Sequence, residues 1–159
     1  MKLLIVNADD FVPNIPDDYT SNAGDIIIPT NNEETAVKGL RLYAGLAGKY
    51  PVRLETRALR SEAKELMNFK GSDSLKGLSE DEKTRKTSKF ILLVMPGDFY
   101  GELLENDNEP LYFGEEVGPN DSDKILLRWK LDNGQYRVIF GDLNAKTVTA
   151  EELAELEKE

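Results

Sequence analysis

The chain contains no cysteine and no histidine. That absence excludes Ser-His-Asp and Cys-His nucleophile sites, disulfides, thiolate or imidazole zinc sites and haem ligation, because each needs one of those two side chains. Positive charge is also scarce: 20 Lys and Arg stand against 30 Asp and Glu in 159 residues, a formal charge of -10. Such a balance repels phosphate backbones and anionic lipid, so neither nucleic acid nor a membrane surface is an expected partner. Long apolar runs are missing as well. The best, Phe90 to Met95, falls far short of the roughly 20 residues of a membrane span. Leu3 to Val6 is too short for a secretory core, which needs about 7–15 apolar residues, and reads instead as part of a strand. As written, the chain is expected to be soluble and cytoplasmic. Residence elsewhere would imply that an export segment or an upstream domain has been removed.

What is present suits one ordinary globular domain, with 40% hydrophobic residues including a single tryptophan. Residues 1–31 read as an extended N-terminal segment with a short strand at Lys2 to Asn7. Asp25 to Ile28 is a second candidate extended piece, and Pro13, Pro16, Gly24 and Pro29 exclude a long helix. Residues 32–159 read as an α+β domain. Asn31 or Asn32 can cap a helix whose first turn holds Glu33 and Glu34, and Ala36, Val37, Leu40, Tyr43, Ala44 and Ala47 form one apolar stripe. Gly48 ends it and Pro51 forbids continuation. A second helix is expected over Thr56 to Asn68. A third starts behind the capping box of Ser79 and Glu82 and leads into Phe90 to Met95, which reads either as its buried end or as a strand, and Pro96-Gly97 is expected to stop either one.

The C-terminal third carries the sheet. Asn133-Gly134 is a two-residue turn of the type that supplies positive φ angles to a hairpin. With it at the tip, Leu131 pairs with Tyr136, Trp129 with Val138 and Leu127 with Phe140, all on one face, while Lys130 meets Arg137 on a wet face. Gly141 to Asn144 turns into a short strand from Ala145 to Thr149. A capping box of Thr149 and Glu152, stapled by Val148 and Leu153, opens a last helix from Ala150 to Lys158. Helices first and strands last give N-terminal helices packed on a C-terminal antiparallel meander of three or four strands. The expected core joins Val37, Leu40 and Tyr43 to Leu127, Trp129, Val138 and Phe140.

Two stretches resemble known families. Met1 to Phe11, MKLLIVNADDF, is similar to the opening strand of carbohydrate deacetylases, whose strand ends in a metal-binding aspartate pair. The resemblance implies a small metal-dependent hydrolase with Asp9 and Asp10 as ligands. Those enzymes also use histidine ligands and a barrel of well over 200 residues, and the bland reading of Asp9-Asp10 is a polar strand exit. The second resemblance covers roughly Asn32 to Leu153. Leu42 to Pro51, LYAGLAGKYP, is similar to the end of the long helix in the major pseudopilins of bacterial type II secretion. Tyr112 to Gly118, Ile125 to Trp129 and Tyr136 to Leu143 resemble the C-terminal half of pseudopilin-like domains in planctomycete-type bacterial envelope proteins. The resemblance implies a non-catalytic structural or protein-interaction module of a cell envelope or secretion-related system, periplasmic in location, with no cofactor beyond a possible calcium ion. The prepilin-peptidase stretch of pseudopilins has no counterpart here, so polymerisation through that helix is not implied. Asp107, within Glu105 to Asn108, and Asp142, within Gly141 to Asn144, are the candidates for a calcium loop; neither sits in the alternating oxygen pattern of a strong calcium signature. Asp142 is more simply a cap of its own turn.

Charge is laid out unevenly. Lys49 to Leu92 carries 11 positive residues against 7 negative, and Asp98 to Asp123 carries nine carboxylates with no Lys or Arg. Arg53, Arg57, Arg60 and Lys64, spaced at 4, 3 and 4, would share one helical face and suit an acidic protein partner; a merely solvated helix face is the alternative. Paired carboxylates alone do not make an acid–base site, which needs a cleft that separates two pKa values. Tyr112, Phe113 and Trp129 could line a carbohydrate surface, although aromatic residues at strand spacing more often form core.

Overall fold

The computed structural model describes residues 29–158. Three helices, α1 (Glu33–Ala47), α2 (Thr56–Leu66) and α3 (Glu80–Glu105), precede four strands, β1 (Leu111–Tyr112), β2 (Ile125–Lys130), β3 (Tyr136–Phe140) and β4 (Ala145–Val148). A short helix, α4 (Ala150–Glu157), follows. The strands form one sheet in the order β1-β2-β3-β4, every pair antiparallel. This is the expected α+β class. Residues 1–28, with the strand read at Lys2 to Asn7 and the aspartate pair, lie outside the described residues.

Local signals place the helix ends. The Asn32 side chain accepts the Thr35 N–H at 2.9 Å, and the Gly48 N–H closes α1 on the Ala44 carbonyl at 2.8 Å. Such a cap stabilises by about 1 kcal/mol. Ser79 caps α3 and Thr149 caps α4, the latter through a complete box with Glu152. Residues just before the expected boundary at residue 32 pack on the helices. Pro29 is buried, and the Asn31 amide donates to Glu102 Oε2 at 2.7 Å.

Pro96-Gly97 does not stop the third helix. α3 runs through both residues to Glu105, with Pro96 buried in its interior. The proline removes the N–H that Leu92 O would accept, and α1 crosses at that point. A β-carbon on Gly39 of α1 would stand 2.6 Å from Pro96 Cδ and overlap the Leu92 oxygen. One position on, the backbone of Thr56 lies against Gly97, where a β-carbon would meet Thr56 N and Cα at 2.8 Å. The Pro-Gly pair is therefore the seat for α1 and for the start of α2, and the tertiary contacts hold the helix through a residue that would break it in isolation.

The hairpin also departs from expectation. Leu131 N–H bonds Gln135 O at 2.7 Å and Gly134 N–H bonds Leu131 O at 3.0 Å, with Gly134 at φ 86° and Asn133 outside the left-handed region. This is a three-residue loop in which only the glycine takes positive φ, a type I turn with a glycine bulge. The register moves by one residue: Trp129 opposes Arg137, Arg128 opposes Val138 and Leu127 opposes Ile139. A second irregularity between Ile125 and Leu127 brings Ile125 opposite Phe140.

Opposed residues share a face, so the apolar side chains divide between two faces. Leu127, Trp129 and Ile139 join Ala36, Leu40, Tyr43 and Leu93 in the main core, where Phe99 meets the Trp129 ring edge-on at 5.2 Å. Ile125, Val138, Phe140 and Val148 form a second core with Leu153 of α4. Val138 and Phe140 thus pack beneath α4 and not beneath α1, as the sequence had suggested. Arg137, expected in water opposite Lys130, comes to the helix side instead. Its guanidinium makes two bonds to Glu33 at 2.7 and 3.0 Å and a third to Thr147 Oγ1 at 3.2 Å.

Candidate functional site

The face read as partner-binding lies on α2. Leu59 and Ala63 are buried and turn the helix toward the core. Arg57, Arg60 and Lys64 are exposed and follow one another at intervals of three and four along the other side. No side chain of the three makes a hydrogen bond or ion pair with a described residue. Arg53 is exposed too, but it precedes the helix, which begins at Thr56. The helical row is therefore three cations, with Arg53 in the connecting turn beside it. Nothing in the first turn of α2 caps it from its own sequence; the Thr56 hydroxyl donates to Asp98 Oδ1 on α3 at 2.8 Å. The other end closes on Asn68, in the left-handed region at φ 50°, with Phe69 N–H reaching Lys64 O at 2.8 Å.

The row is held rigidly from behind. Tyr43 of α1 donates to Glu62 Oε2 of α2 at 2.7 Å, and burial followed by that bond pushes its phenol well above the usual range. Tyr50 donates to the Gly141 carbonyl at 2.5 Å, and burial raises it to about 12. Tyr112 donates to Pro51 O at 2.7 Å and is likewise raised, chiefly by burial. Tyr43 thus ties α1 to α2, while Tyr50 and Tyr112 tie the turn Tyr50-Pro51 to the sheet. All three are protonated donors at neutral pH, each spent on a structural acceptor. Trp129 is 5% exposed, so no aromatic platform for a sugar is open at its ring.

The candidate metal residues are accounted for separately. Asp107 follows the C-cap of α3 at φ 56°, where Asn108 N–H bonds Leu103 O at 3.0 Å; it occupies the position that ends a helix by reversing its hand. Asp142 accepts from Asn144 N–H at 3.0 Å and from the Asn144 amide at 2.7 Å, the self-capped turn expected of it. Among the described residues no three Asp or Glu side chains are grouped to hold a metal ion. Asp9 and Asp10 lie outside those residues.

Among the described residues three open clefts stand out. One of about 520 Å³ lies beside Asp98, Glu102 and Glu105, with Asn31 and Thr56 occupying two of the carboxylates. One of about 590 Å³ lies between the β1–β2 edge and α4, floored by Leu111, Phe113, Ile125 and Leu156 and bounded by the Arg128–Glu157 ion pair at 2.8 Å. The third, about 460 Å³, sits where the C-terminal ends of α1 and α2 meet the first half of α3. Leu46, Leu66, Met67 and Leu78 form its apolar part, and Arg85, Lys86 and Lys89 its cationic part. Burial lowers the Lys89 ammonium from its ordinary value.

No family model matches the chain, and neither a curated protein nor a solved structure is similar enough to count as a relative. Sequence reasoning located the α2 row by its spacing. It missed the third cleft, because residues from three helices contribute and no local pattern joins them.

Proposed function

We propose that this chain is a non-catalytic protein-interaction module, serving a bacterial cell envelope or secretion-related system, that meets an acidic partner surface through Arg57, Arg60 and Lys64, with Arg53 at the margin. One observation carries the reading: in a chain of net charge -10, these cations stand exposed on a helix whose opposite side is locked into the core, with no described carboxylate in contact. A rigid row of like charge costs self-repulsion in the free protein and is relieved by a partner of opposite sign. The envelope assignment rests on the likeness of Leu42 to Pro51 and of the strand segments to pseudopilin-like domains. The helix-to-sheet order and the Tyr50-Pro51 reversal agree with that likeness.

The test is photo-crosslinking in the bacterial host from a benzoylphenylalanine placed at Ser61, an exposed position on α2. A discrete adduct with an envelope protein, lost when Arg57 and Arg60 are both replaced by Glu, is the expected result. An adduct indifferent to the charge reversal, or no discrete adduct, refutes the reading.

A further inference from the structure

We propose that Asn133, at the tip of the β2–β3 hairpin, is a site of spontaneous deamidation to aspartate and isoaspartate, and that its bonds to Gln135 hold the conversion back. Of the asparagines in the chain, only Asn133 is followed by glycine. A glycine has no side chain to hinder the approach of its nitrogen to the carboxamide, and a β-carbon at Gly134 would meet nothing within 4 Å. Asp132, Asn133 and Gly134 are all exposed, so hydroxide and water reach the loop. The reaction needs no other reagent. The Gly134 nitrogen gives its proton to hydroxide and attacks Asn133 Cγ. The bond from Cγ to Nδ2 breaks, and Nδ2 takes a proton from water and leaves as ammonia, closing a five-membered imide. Water then opens the imide, at Cγ to give aspartate or at the Asn133 main-chain carbonyl carbon to give isoaspartate, in which Gly134 is joined through the side chain.

The folded loop opposes the first step at both reacting atoms. The Gly134 N–H is engaged with the Leu131 carbonyl at 3.0 Å, which keeps the attacking nitrogen protonated. The carboxamide is held to the residue beyond that nitrogen: Asn133 Oδ1 accepts the Gln135 N–H at 3.0 Å, and Nδ2 donates to Gln135 Oε1 at 2.8 Å. The Leu131 N–H, donating to Gln135 O at 2.7 Å, closes the loop around them. Cyclisation therefore waits on opening of the tip, a local event that breaks exposed bonds and leaves the rest of the fold intact. Isoaspartate, once formed, adds one carbon to the main chain inside a loop of three residues. That loop adjoins the Lys130–Tyr136 pair, so the end of the hairpin loosens with it. The inference does not rest on the α2 row.

The test incubates the full chain at pH 8, native and unfolded in guanidinium chloride, and follows the tryptic peptide from Leu131 to Arg137 by chromatography and mass spectrometry. Lys130 and Arg137 supply its two cleavage points. Asn133 is expected to convert ahead of every other asparagine in the unfolded chain, and roughly ten-fold or more slowly in the native protein. Gln135→Ala removes the acceptor of Nδ2 and should speed the native reaction several-fold. Gly39→Ala, which strains the α1–α3 crossing and not the hairpin tip, should leave the native rate as it is. Another asparagine converting first in the unfolded chain, equal native and unfolded rates, a native rate indifferent to Gln135→Ala, or an equal acceleration by Gly39→Ala would each overturn the proposal.

Discussion

Gly39 of α1 sits directly on Pro96 of α3, and each residue makes the other tolerable. The proline leaves the Leu92 carbonyl without its helical donor, and the glycine has no β-carbon to strike that oxygen or the ring. The consequence is a helix crossing without which α3 would have reason to break at its middle.

Gly39→Ala should destabilise the protein by about 1–3 kcal/mol, because the added methyl overpacks a crossing with no space. Gly45→Ala on the same helix meets nothing within 4 Å and should stabilise it by about 0.5–1 kcal/mol through helix propensity. Urea midpoints moving in opposite directions for the two variants are the expected outcome; a shared direction would mean that the crossing is not tight.

Trp129 joins the sheet to α3 through Phe99 and lies almost wholly out of solvent. Trp129→Ala should cost about 3–5 kcal/mol, the usual penalty for removing a large core aromatic. Loss of cooperative thermal unfolding, or a fall of well over ten degrees in midpoint, is expected. A shift of a degree or two would show that the sheet–helix interface contributes little.

The Arg137–Glu33 pair connects β3 to the first turn of α1, where the helix dipole already favours a carboxylate. Both side chains are about two-thirds buried, at 29% and 31% exposure, and the geometry is two-pronged. The Glu33 bond raises the Arg137 pKa, so the guanidinium stays charged throughout the neutral range. A double-mutant cycle with Glu33→Ala and Arg137→Ala should return a coupling of about 0.5–1 kcal/mol that shrinks as salt is added. Zero coupling at low salt would remove the pair from the interactions that set the position of α1.

Alkaline pH should unfold the protein through its phenols. Tyr50 is raised from 10.0 to about 12, and Tyr43 and Tyr112 are raised in the same direction. Above pH 10 the unfolded chain therefore releases protons that the folded state retains, so stability is intact below pH 10 and falls as pH climbs through the folded-state values. Thermal midpoints at pH 9 and pH 11.5 should differ by several degrees. Tyr50→Phe combined with Tyr112→Phe should be less stable at pH 7, having left the Gly141 and Pro51 carbonyls unpaired, but should show a shallower decline; an unchanged slope would place the alkaline sensitivity elsewhere.

Much of this architecture was legible because it is local. Asn32, Gly48, Ser79 and Thr149 satisfy backbone groups within a few residues, so their side chains mark helix ends whatever the chain does elsewhere. The apolar stripe of α1 and the presence of a hairpin at Asn133-Gly134 were readable for the same reason, and so was the cation row at Arg57, Arg60 and Lys64, which only needs the period of one helix. Tertiary structure decided the rest. Pro96 stays helical because Gly39 and Thr56 pack on the Pro-Gly segment. The one-residue change in the hairpin is set by which faces α4 and the N-terminal helices cover: with both faces of the sheet buried, an apolar side chain fits on either one, so the pattern alone could not choose the register. Arg137 finds Glu33 across 104 positions of sequence. The amphipathic cleft likewise draws its residues from three helices, and no period along the chain brings Leu46, Met67 and Lys86 together.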